Sequence, residues 1–206
     1  MVKSNFAKYR AMLSLFAEHR DHDEEISAYI LAHMGARRDL KIRHILQSIL
    51  GNREGEEAVT SYLSRYALEL DRVLAEIPLV EGVAQFIANS QYAFYVSSSS
   101  PESEVHEQLA RHKLDMYFTG VYGQETPKED ALRQITARHP DAALVFFGDS
   151  VSDLAAALEA GVAFVAVINE HDSFAGVQVE KLVDFTSTPS VEMHMQKALR
   201  LDSAST

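Results

Sequence analysis

Apolar positions in the first third of the chain recur at helical intervals. Phe6, Tyr9, Leu13 and Phe16 share one face, and Ile26, Ile30 and His33 suggest a second helix. Ile42, Ile45, Leu46, Ile49 and Leu50 give an i, i+3, i+4, i+7, i+8 stripe closed by Gly51. Val59, Tyr62, Leu63, Tyr66, Leu70 and Val73 make a fourth. Residues 5–76 therefore read as a small helical bundle.

After Pro78 the pattern changes. Short continuous apolar runs at 92–96, 117–122, 142–147 and 162–168 predict buried strands. Between them, 100–112, 126–138 and 151–160 read as helices, the last ending at Gly161. Strands without polar alternation, separated by helices, indicate a parallel sheet covered on both faces. The fold class is thus α/β: a Rossmann-like parallel sheet over 77–206, with an α-helical domain over 5–76. Residues 202–206 read as a frayed tail.

Composition narrows the function. The 206 residues include no cysteine, which excludes disulfides, a thiol nucleophile and Cys-based zinc sites. The net charge of −11 repels phosphate backbones and argues against nucleic acid as a partner. The longest apolar runs fall far short of the ~18 residues that span a bilayer, so no membrane partner is expected. The apolar stretch 11–17 runs straight into Glu18, His19 and Arg20, unlike a secretory leader. A cytoplasmic monomer or homodimer acting on a small molecule is the expectation. The histidines, including His19, His22, His33 and His44, lack metal-site spacing.

Ligands of open parallel sheets bind beyond the carboxyl ends of the strands. Three such places carry chemistry. Ser97-Ser98-Ser99-Ser100-Pro101-Glu102 offers hydroxyls and N–H groups at a helix start, with Pro101 suited to the first helical position; it reads equally as a plain cap. Thr126 and Glu129 have capping-box spacing around Pro127, which puts Lys128 in the first turn, where a cation opposes the helix dipole. An anion nearby would reconcile it. Gly148-Asp149-Ser150-Val151-Ser152-Asp153 places two carboxylates four residues apart at a strand end, a donor pair suited to Mg2+. Hydroxyl, lysine and paired aspartates in this order are the parts that phosphoryl transfer needs.

That ordered set resembles the haloacid dehalogenase (HAD)-like hydrolases, phosphoglycolate-phosphatase-like members with a helical cap in particular. The resemblance runs from about residue 77 to 168. It implies that Ser97, with Ser98, binds the transferring phosphoryl group, that Lys128 neutralises charge, and that Asp149 and Asp153 hold magnesium. It also implies that residues 5–76 are the cap and 77–206 the core. The family's first motif, a strand ending in Asp-x-Asp-Gly, supplies the nucleophile and the general acid/base. Met1-Val2-Lys3-Ser4-Asn5 is similar to the tail of that motif only. The expectation is that Met1 is internal to a longer protein whose first core strand lies upstream.

In the bundle, Gly35-Ala36-Arg37-Arg38-Asp39-Leu40-Lys41 is basic within an acidic chain. The resemblance makes Arg37, Arg38 and Lys41 candidates for contact with a second anionic group on the substrate; a solvated connection is the plain alternative. Ser4-Asn5 with Lys8 a turn later resembles a subgroup associated with sugar-phosphate and surface-polysaccharide metabolism. The expected reaction is Mg2+-dependent hydrolysis of a small phosphomonoester. A phosphosugar mutase, or a catalytically dead protein that binds a phosphoanion or a protein, are the rival readings.

Overall fold

The computed structural model describes residues 5–34, 36–51, 55–74, 78–168 and 172–203. The chain divides into two units, Val2–Pro78 and Leu79–Thr206. Among the described residues no helix is long and apolar enough to cross a membrane.

The first unit holds α1 (Asn5–Ser14), a 3-10 turn at Arg20–His22, α2 (Asp23–Ala32), α3 (Arg38–His44) and α4 (Glu56–Leu74). Its core takes one stripe from each helix: Met12 from α1, Ile26 and Ile30 from α2, Ile42 from α3, Leu70 from α4, all essentially sealed from solvent. Burying side chains of this size contributes ~1.5–3 kcal/mol each. Phe16, just past α1, stacks on Tyr62 at 4.9 Å.

Two expectations fail here. The stripe over 42–50 is not one regular helix: Ile45–Ile49 is a π turn, in which the Leu50 N–H reaches back five residues to the Ile45 carbonyl. The wider turn still buries Ile45 and Leu46, and leaves Ile49 and Leu50 half-buried. His33 does not join the buried face of α2. It is exposed past the helix end, and its Nδ1–H donates to the Tyr29 carbonyl at 2.8 Å.

The second unit alternates as expected: α5 (Val83–Asn89), β1 (Phe94–Ser97), α6 (Glu102–Arg111), β2 (Phe118–Tyr122), α7 (Lys128–Arg138), β3 (Val145–Gly148), α8 (Val151–Ala160), β4 (Ala163–Val167), β5 (Glu180–Leu182) and α9 (Thr188–Ser203). All strand pairs are parallel. β1 pairs with β2, setting Ser97 beside Tyr122; β4 pairs with β3 on one side and β5 on the other. Helices α5, α6 and α9 lie on one face, where Phe86, Val105, Leu109 and Val191 share a core with Val96, Phe147 and Val165. Helices α7 and α8 lie on the other, with Leu132, Ala156 and Ala157 against Phe146, Phe164 and Ala166.

These faces fix the strand order. Parallel crossovers are right-handed in nearly all sheets. Helices on opposite faces therefore carry the chain in opposite directions: outward from β1 to β2, then back past β1 to β3 and on to β4. The order is β2-β1 followed by β3-β4-β5, and the direction reverses between β1 and β3. Among the described residues β1 and β3 are not bonded to each other. β4, paired on both sides, is buried throughout, whereas the equally apolar Phe94-Tyr95-Val96 and Val145-Phe146-Phe147 are only half-buried. Phe86 and Phe185 bridge the two sheets on the α5 face: their rings lie 5.6 Å apart, Phe94 is 6.0 Å from Phe86, and Phe147 is 5.4 Å from Phe185.

Helix starts differ from expectation. Pro101 and Pro127 stand outside their helices in extended conformations (ψ 141° and 143°), so α6 and α7 begin one residue later. The capping box expected from Thr126 and Glu129 does not form; the Thr126 N–H instead closes a turn onto the Gly123 carbonyl at 3.1 Å. Because α7 starts at Lys128, Pro127 takes the cap position and Thr126 stands one residue too early to act as the cap. The supposed tail is also shorter, because α9 continues through Asp202 to Ser203.

Candidate active site

Each strand end at the reversal delivers one group. Ser97 closes β1, and among the described residues its buried Oγ has no hydrogen-bond partner. A buried hydroxyl left unpaired costs free energy, so a ligand that completes it is favoured. Ser98 N–H donates to the Tyr122 carbonyl at 2.9 Å, extending the ladder by one rung. The Ser98 hydroxyl accepts from the Ser100 N–H at 3.1 Å and keeps its own hydrogen to donate.

The loops after β1 and β2 are stitched together. Gln124 N–H donates to the Ser100 carbonyl at 2.8 Å, and Glu102 N–H to Glu125 Oε2 at 3.2 Å. A carboxylate of the second loop thus already takes an amide at the start of α6. Gly123 makes this possible: a Cβ there would lie 2.3 Å from the Glu102 nitrogen. Glu125 had no sequence signal, since its partner lies 23 positions away.

Lys128 opens α7 and reaches Asp153 Oδ1, with side-chain exposures of 19% and 6%. This is the anion that the awkward position of Lys128 asks for. Asp153 Oδ2 in turn accepts from the N–H groups of Asp149 (3.2 Å) and Ser150 (3.1 Å) and from Ser150 Oγ (2.7 Å). Ser150 Oγ accepts from the Asp153 N–H at 3.2 Å, completing a capping box at the start of α8. The Ser-x-x-Asp spacing could have revealed that box. Gly148 admits the arrangement, because a Cβ on it would sit 2.4 Å from Asp153 Cβ.

Asp153 is therefore a positioning group, with both oxygens engaged by protein donors. Asp149 follows β3 directly, and its backbone N–H is held by the Asp153 carboxylate. Among the described residues no group of three or more histidines and carboxylates is assembled for a metal. The donor set nevertheless fits Mg2+, which typically takes one or two carboxylates and completes its octahedron with water and phosphate oxygens. Arg37, Arg38 and Lys41 lie in the helical unit. Arg37 is exposed and grips Asp39 with two bonds of 3.1 Å; Arg38 lies over the Tyr66 ring, 5.3 Å from its centroid; Lys41 is buried.

A parallel sheet with serine hydroxyls, a lysine and paired aspartates beyond its strand ends is the layout of one hydrolase class. Residues 9–167 match the family model described as haloacid dehalogenase-like hydrolase, and the chain belongs to that family. No curated protein matches it in sequence. Solved structures share its fold. A predicted phosphoglycolate phosphatase from Haemophilus somnus is 16% identical, with a TM-score of 0.72 and 93% of each chain covered. A haloacid dehalogenase-like protein from Agrobacterium tumefaciens is 15% identical, with a TM-score of 0.69, covering 95% of this chain and 94% of its own. CbbY from Rhodobacter sphaeroides, solved with phosphate, is 18% identical, with a TM-score of 0.65 and 91% of each chain covered.

Proposed function

We propose that this chain carries most of a Mg2+-dependent phosphatase that hydrolyses a small phosphomonoester, such as a sugar phosphate, through an aspartyl-phosphate. The observation that carries the reading is the Lys128–Asp153 pair, with the Asp149 N–H held by the same carboxylate and Ser97 at the end of β1. Among the described residues β1 and β3 are half-buried and not bonded to each other, which supports a further strand between them; on this reading the nucleophilic carboxylate would stand at its end, N-terminal to α1.

In this reading the orphaned Ser97 Oγ–H donates to a phosphoryl oxygen, and Ser98 supplies a second hydroxyl. Lys128, held in place by Asp153, sets a fixed positive charge where negative charge gathers during transfer. Asp149, with Asp153 ordering its loop, would hold Mg2+. The metal would draw phosphate and nucleophile together and offset their repulsion. Arg37, Arg38 and Lys41 of the helical unit would contact the rest of the substrate.

The test is phosphate release from a panel of phosphosugars and phosphoglycolate with Mg2+. It is run on this chain and on one extended at the N-terminus to include the upstream strand. Release by the extended chain is the expected result. Interconversion of phosphosugars without release would favour a mutase. Phosphate binding without turnover in either chain would favour a catalytically dead binder.

A further inference from the structure

Past their last paired residues, β1 and β2 stay joined by three hydrogen bonds. Two run between backbones: Ser98 N–H to the Tyr122 carbonyl at 2.9 Å, and Gln124 N–H to the Ser100 carbonyl at 2.8 Å. The third is made by a side chain, Glu102 N–H to Glu125 Oε2 at 3.2 Å. Helix α6 has no cap of its own, because the residue before it is Pro101, whose side chain carries no acceptor. Glu125 takes that place from the neighbouring loop. A carboxylate at a helix N-terminus also gains from the helix dipole.

The link reaches a hydroxyl of the proposed site. Ser100, whose carbonyl is held by Gln124, donates its N–H to Ser98 Oγ at 3.1 Å. That bond occupies a lone pair of the oxygen and leaves the O–H to point at another acceptor. At the other end of the segment, Thr126 N–H closes a turn onto the Gly123 carbonyl at 3.1 Å, and Lys128 opens α7 two residues later. Gly123 is buried, and a Cβ on it would collide with the Glu102 nitrogen and with Glu125 Oε2. One short segment therefore grips the serine loop and carries Lys128.

We propose that Glu125 is a positioning residue: by capping α6 from the next loop it fixes the Ser98 hydroxyl in register with the segment that carries Lys128. Its consequence for catalysis rests on the phosphatase reading, in which both groups meet the phosphoryl group. The carboxylate acts as a hydrogen-bond acceptor, neither as a base nor as a metal ligand. Glutamine keeps an acceptor oxygen at the same reach, and alanine removes it.

The experiment has two arms. In this chain, NMR follows amide exchange at Ser100, Glu102 and Gln124 in the parent, E125A and E125Q. In the N-terminally extended chain, phosphate release from a sugar monophosphate with Mg2+ is measured for the same variants, each with and without S98A. Exchange at the three amides should rise about tenfold or more in E125A and stay near the parent in E125Q. Turnover, as kcat/KM, should fall about five- to tenfold in E125A and recover to within about twofold of the parent in E125Q. Once S98A is present, E125A should cost nothing further, because the two act through one hydroxyl. Unchanged exchange in E125A overturns the proposal. So does an E125A loss that persists in full beside S98A, or an E125Q as damaging as E125A. An extended parent that releases no phosphate, with the exchange responding as expected, would defeat the phosphatase reading and leave Glu125 as the residue that positions Ser98.

Discussion

Lys128 and Lys41 pose the same physical problem and meet it differently. Each is a helix cation largely removed from solvent, Lys128 at the start of α7 and Lys41 in the last turn of α3. Lys128 has Asp153, whose other oxygen is fastened by two backbone amides and a hydroxyl. Lys41 has its ammonium lowered to about 8, first by burial and then by the positive charges of Lys8 and Arg38. A paired buried cation is a rigid part of a reaction centre. The difference separates the two units: in one the buried lysine is paired with a carboxylate, in the other it is pressed by like charges.

Breaking the paired lysine should have the largest effect on stability. D153A leaves Lys128 buried without its counterion and removes the α8 capping box, and should cost about 3–5 kcal/mol in urea unfolding. A loss under about 1 kcal/mol would show that the pair contributes little.

Relieving the lysine pressed by like charges should act in the opposite direction. K41M should stabilise the chain by about 2–3 kcal/mol at pH 7, since each pKa unit is worth ~1.4 kcal/mol. The sign follows from linkage. With a folded pKa of about 8 below the unfolded value, the unfolded chain binds more protons between them, so native stability rises with pH above about 8. The advantage of K41M should shrink as pH approaches 10, and urea midpoints at pH 7 and pH 10 check it. A destabilised K41M at pH 7 would contradict the account.

Smaller changes sharpen the first half of the comparison. G148A should cost about 1–3 kcal/mol, because the new methyl displaces Asp153 and with it Lys128. S150A should cost about 1 kcal/mol through loss of the cap alone. Equal costs for the two would mean that Gly148 is not what admits Asp153.

Much of this was legible in the sequence. The apolar runs located β1 to β4 within a few residues, because strands buried on both faces leave no polar alternation to confuse them. β5, Glu180-Lys181-Leu182, was invisible: three residues with two charges carry no period. The π turn at Ile45–Ile49 was equally hidden, since a widened turn keeps nearly the same apolar spacing. At the site, Lys128 in a first turn was explicable by a nearby anion or, equally plainly, as an exposed lysine tolerated at small cost. That the anion is Asp153, 25 residues away on another helix, could come only from the fold. Glu125 and the close approach at Gly148 and Gly123 are likewise contacts between separate loops, with no local pattern to betray them. Lys41 was visible as a charge but not as a buried one, because lysine at an inward position reads as a break in an apolar stripe.

The central claim is that the reversal between β1 and β3 is a phosphoryl-transfer centre in which Asp149 meets the metal. The most direct measurement is steady-state phosphate release by the N-terminally extended chain with Mg2+, compared with its D149A variant. The account predicts turnover in the parent and a fall in kcat by about 10²–10³ or more in the variant. Undiminished turnover in D149A would contradict it.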